Sequence, residues 1–118
     1  MIFFPIIELV DRVSIAKLKF DKTGANQAEL DFYTQQLESH NLELITTEMS
    51  ELYEIHKCIW NLESELKSGL EHQLDLAEIG RRAIEIRNYN NKRVMLKNVM
   101  AEKIGCAVRE IKKNHISE

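Results

Sequence analysis

Residues 76–105, LAEIGRRAIEIRNYNNKRVMLKNVMAEKIG, carry the pattern that decides the fold. Leu76, Ile79, Ala83 and Ile86 stand at i, i+3, i+7 and i+10, which is one face of an amphipathic helix. The stripe continues through Asn90, Arg93 and Lys97 before apolar residues return at Met100 and Ile104. An inward-facing stripe interrupted by three polar residues is either a binding site or a structural polar layer. Asp75 suits the N-cap of this helix, with Glu78 in the capping-box position, and Gly105 is a natural stop. Unbroken, it would run about 45 Å, which exceeds the roughly 35 Å diameter of a sphere-like domain of this size. Gly80 and Asn88–Asn91 are its weak points, so a kink near Asn90 would not surprise.

Upstream, Ile45, Met49, Leu52, Ile55, Ile59, Leu62 and Leu66 recur at steps of three or four. Three heptads of apolar seam predict a helix–helix interface of coiled-coil type. His56 and Glu63 fall on the edge of that face, and Gly69 ends the helix. No Gly or Pro occurs from Asn26 to Ser68. One helix of that length would be roughly 60 Å long, so a break is expected between 38 and 48, at Ser39-His40-Asn41. Asn26 can cap the second helix, with Glu29 three residues on. The first helix spans residues 5–22, with Pro5 in its first turn and Gly24 as its breaker. Ile6, Leu9, Val10, Val13 and Phe20 form one side of it, and Glu8, Arg12, Ile15 and Lys19 another.

These elements predict an all-α, antiparallel bundle of three to four helices with a long C-terminal helix, elongated or dimeric. The 118 residues make a single helical domain, with 106–118 as a tail or a short final helix. Hydrophobic content of 44% and charged content of 30% are those of a soluble globular chain. The apolar opening MIFFPIIELV lacks a basic n-region and is too short to span a bilayer, so neither export nor a membrane partner is expected. Cys58 and Cys106 show no metal-knuckle spacing and read as reduced thiols in a cytoplasmic protein. Net charge is −3, but residues 1–80 hold 6 Lys/Arg against 15 Asp/Glu, and residues 81–118 hold 10 against 4. The basic end can face a polyanion or pack against the acidic helices, within the chain or across a dimer. No aromatic-interleaved basic cluster or nucleic-acid motif accompanies it, so packing is preferred over nucleic acid.

The candidate chemistry sits between helices three and four, which a short connection makes antiparallel. His56 and Glu63 then face the region from Asn90 to Lys97. Such a set can hold a small anionic ligand, or satisfy itself through a Glu63 pair with Arg93 or Lys97. In the ligand reading Arg12, Arg93 and Lys97 bind a carboxylate or phosphate, with Lys19 and Asn90 beside them. Glu63 is then the catalytic acid or base. Histidines at 40, 56, 72 and 115 lack HxxxH or ExxH spacing, so neither a metal nor another cofactor is expected. Glu51 and Glu54 have the ExxE spacing of all-α pyrophosphohydrolases, but no downstream ExxD follows. No phosphate loop, nucleophile elbow or Cys–His pair is present in the sequence.

Three segments resemble a family of small, functionally uncharacterised bacterial and phage proteins, often encoded near lipopolysaccharide glycosyltransferases. ELVDRVSIAKLKF (8–20) is similar to that family's ELxDKxxIxxIKL, through Glu8, Leu9, Asp11, Arg12, Ile15 and Lys19. IWNLESELK (59–67) resembles LWxIExxIR, through Trp60 and Glu63. NYNNKRVMLKNVMAEKIG (88–105) resembles TNDxRxxIKxxINxLxG, through Asn90, Arg93, Lys97 and Gly105, with Asn91 in place of an acidic residue. The resemblance implies an all-helical fold and no particular activity. The expected function is that of a helical accessory or interaction protein, assembled as a homodimer through the heptad seam or the long fourth helix. The alternative is a small-molecule enzyme or binder acting on an anionic metabolite in a bundle pocket.

Overall fold

The computed structural model describes residues 6–67 and 74–105 and is helical almost throughout. In chain order it comprises α1 (Ile6–Thr23), α2 (Gln27–Leu37), a 3-10 turn (Glu43–Ile45), α3 (Thr46–Lys67) and α4 (Leu76–Lys103). Pro5, Gly69 and the 106–118 tail lie outside the described residues. The molecule is elongated, 48 × 34 × 28 Å, as a 28-residue fourth helix requires. That helix continues without interruption through Gly80 and Asn88–Asn91.

The stop signals act where their chemistry places them. Gly24 (φ +70°) and Gly105 (φ +71°) take the left-handed conformation that closes α1 and α4. Asp75 caps α4 by accepting the Glu78 N–H at 2.8 Å. The break between α2 and α3 falls at 38–42, where the Asn41 side chain accepts the Glu43 N–H and starts the 3-10 turn. Asn26 departs from the expected capping box. Its backbone is left-handed (φ 58°) and its side chain caps nothing. Its side-chain amide instead donates to the Ala16 carbonyl of α1 and to the Glu29 carboxylate of α2.

Long-range ion pairs fix the helix directions. Glu65 of α3 meets Arg82 of α4, and Glu48 meets Lys103, so α3 and α4 are antiparallel. α1 packs against α2 and α3 and, over a shorter length, against α4. It is therefore buried on more than one side, through Ile7, Leu9, Val10, Ala16 and Leu18. The core joins Ile7, Leu9 and Val10 to Leu37, Ile45, Leu52, Met100 and Ala101. Of the predicted seam, Ile45 and Leu52 are completely buried, while Met49, Ile55, Ile59, Leu62 and Leu66 are half-buried. The start of α4 is thinly covered: Leu76 and Ala83 are exposed, and Ile79 and Ile86 only half-buried. The buried residues of α4, Lys97, Met100 and Ala101, all lie toward the other end.

Candidate functional site

Asp11 is the point where three helices meet. It occupies the same side of α1 as Ile7 and Leu18, at spacings of four and seven, so the packing that buries those residues buries a carboxylate too. Asp11 is 5% exposed, His56 of α3 7%, and Lys97 of α4 2%. His56 Nε2 donates to Asp11 Oδ1 at 2.9 Å. Arg93 Nη1 donates to Asp11 Oδ2 at 3.0 Å, and Lys97 Nζ approaches the same oxygen at 3.5 Å. Lys97 Nζ is also 2.8 Å from Glu8 Oε2, one helical turn before Asp11.

The electrostatics follow from this geometry. Burial alone pushes the Asp11 carboxyl up, because it disfavours the charged form. The His56 hydrogen bond and the charges of Arg93 and Lys97 outweigh burial and hold it below its ordinary value. An ionised carboxylate only accepts hydrogen bonds, so the proton of the His56 contact resides on Nε2. Two carboxylates, Glu8 and Asp11, thus offset two cations, Arg93 and Lys97. The ion pair expected of Glu63 is made by Asp11 and Glu8 instead.

The expected site residues divide into three places. Glu63, Asn90 and Arg93 line one hollow of about 230 Å³, together with Ile15, Leu18, His56, Ile59 and Trp60. Lys97 lies inside the protein, one turn along α4 from Arg93, bound to the carboxylates of α1. Arg12 and Lys19 are exposed and line a separate hollow of about 160 Å³ with Ile15, Ala16, Glu29 and Tyr33. The structure therefore gathers Glu63, Asn90 and Arg93, and leaves Arg12 and Lys19 on another side of α1. Among the described residues, Glu63 is the one acidic side chain lining the Arg93 hollow.

A larger hollow, about 460 Å³, opens between α1 and the start of α3 and is lined by Val10, Val13, Met49 and Tyr53 among others. The hydroxyl of Tyr53, one of its lining residues, donates to Asp21. That bond to an anion pushes the Tyr53 phenol up to about 12. No group of three or more His, Cys, Asp or Glu placed to hold a metal ion occurs among the described residues. Among those residues, no helix is long and apolar enough to cross a membrane.

Among the described residues, much of the positive charge of α4 is paired within the chain. Arg82, Arg93, Lys97 and Lys103 of α4 each contact a carboxylate of α1 or α3. Arg81 pairs with Glu78 and Glu85 along α4 itself. The chain matches no protein-family model, no curated protein and no solved structure.

Proposed function

We propose that this protein is a non-enzymatic helical accessory protein, which acts by protein–protein contact and assembles as a homodimer in the cytoplasm. The observation that carries the reading is the outward face of α4. Ile84 is 50% exposed, Met95 67% and Val99 42%, and Asn88 and Asn91 fill the same face between them. This uncharged strip is about 23 Å long, on a helix otherwise dense in charge. Scattered exposed apolar residues are ordinary, but apolar residues sharing one helical face mark an interaction surface. The interior cluster supports the same reading, since its charged groups are spent on one another. The resemblance to the helical bacterial and phage family is compatible with it: Glu8, Asp11, Trp60, Glu63, Asn90, Arg93 and Lys97 all lie in or beside the Asp11 network.

Sedimentation velocity tests the proposal. The wild-type chain should sediment as a dimer at high concentration and dissociate on dilution. Met95→Glu places a charge on the strip and should shift the dissociation constant at least tenfold, with unchanged helical circular dichroism. A wild-type chain that stays monomeric at every concentration would remove the homodimer.

The hollow beside Arg93 favours a second reading, a small anionic ligand with Glu63 as acid or base. Its charge balance does not help an anion, because Arg93 and Lys97 already face Asp11 and Glu8 and Glu63 adds a negative charge. A rise in melting temperature with phosphate or citrate, abolished by Arg93→Met, would put this reading first.

A further inference from the structure

We infer that the second copy lies antiparallel along α4, with the two-fold axis passing between Tyr89 and Asn90. This rests on the self-association proposed above and specifies its geometry. Arg81, Ile84, Asn88, Asn91, Met95, Asn98 and Glu102 recur at alternating steps of three and four, the a and d positions of a heptad repeat. All are exposed except Asn98, which is half-buried. Arg93 and Met100, turned to the interior, fall at f positions on the far side of the same helix. α4 thus carries one seam inward and a second one outward.

The outward seam is complementary to itself in one register. The midpoint of α4, between its ends at Leu76 and Lys103, falls between Tyr89 and Asn90. A two-fold axis there overlaps the helices along their whole length. Ile84 then faces the second copy's Met95, and Asn88 faces the second copy's Asn91. Glu85 on the flank faces the second copy's Lys92. Symmetry makes every one of these contacts twice. The paired amides can satisfy each other, and a polar layer of this kind sets register at some cost in affinity.

Alternative registers fail on charge. Sliding one heptad in one direction sets Lys92 against its own copy, and sliding in the other sets Glu85 against its own copy. A parallel, in-register pair sets Arg87 against the second copy's Lys92. Like charges so placed are repulsive, and they select the antiparallel centred pair.

Charge reversal read by sedimentation tests this register. Glu85 and Lys92 lie outside the core, so the substitutions leave the fold in place. Glu85→Lys alone and Lys92→Glu alone should each weaken the dimer at least tenfold. The double variant exchanges the two charges and should return the dissociation constant to within about threefold of wild type. A wild-type dimer that both single variants leave unchanged, or a double variant that stays as weak as the singles, would overturn the register and leave self-association standing. Tighter association by Lys92→Glu alone would indicate the parallel pair. A monomeric wild type would remove the register together with the reading on which it rests.

Discussion

Asp11→Ala will cost about 3–5 kcal/mol, the loss typical of removing one partner from a buried ion pair. The reason is what remains. Lys97, 2% exposed, loses one of its carboxylate contacts and keeps Glu8, and His56 and Arg93 lose the carboxylate they share. A domain of this size has about 5–15 kcal/mol of stability in total, so much of the fold's margin goes with a single carboxylate. Lys97→Met makes the contrasting case. Methionine keeps most of the side-chain length, Asp11 retains His56 and Arg93, and Glu8 is 35% exposed and can turn to water. That variant should fall within about 1 kcal/mol of wild type, because apolar replacement of a buried ion is often neutral. Urea denaturation at one fixed protein concentration measures both, the fixed concentration being needed because a dimer gains stability by mass action. Equal losses in the two variants would mean that Asp11 is not the hub.

Leu52→Ala should be the most damaging truncation along the α3 seam, at about 2–5 kcal/mol. Leu52 is completely buried, in the cluster that joins α1, α3 and the end of α4. Leu66→Ala, on the same seam two heptads later, should cost about 1 kcal/mol or less, since that side chain is only half-buried. The gradient follows from the core, which joins Ile45 and Leu52 to α1 and to Met100 and Ala101 at the far end of α4. The later seam residues face the thinly packed start of α4. The same denaturation series reads the difference, and equal costs at the two positions would contradict the packing described here.

How far the sequence carried this reading depends on which side of each helix was in question. Helix ends were legible because Gly24, Asp75, Asn41 and Gly105 act locally, through left-handed backbone or a side-chain cap. Asn26 was misjudged for the same reason in reverse: its residue type suits a cap, but its backbone is left-handed and its amide is bound elsewhere. Periodicity located Asn90, Arg93 and Lys97 facing inward, because α4 has one interior side. Asp11 stayed hidden as a hub because α1 is buried on more than one side, and a single inside face cannot describe such a helix. Its spacing from Ile7 and Leu18, and its place in the ELVDR segment of the resemblance, were the signals present. Arg12 and Lys19 went to a different hollow since they lie on another side of α1, a difference that only the placement of α2 resolves. The outward strip on α4 is not legible from periodicity alone, because Ile84, Met95 and Val99 are too few and too widely spaced to form an apolar stripe.

The buried polar groups of α1, α3 and α4 are fastened to one another. A double-mutant cycle on Asp11→Asn and Arg93→Met, read by urea denaturation, tests that fastening directly. Residues in one buried network couple by about 0.5–3 kcal/mol, and the account predicts a coupling of about 1 kcal/mol or more. Strict additivity of the two substitutions would contradict it.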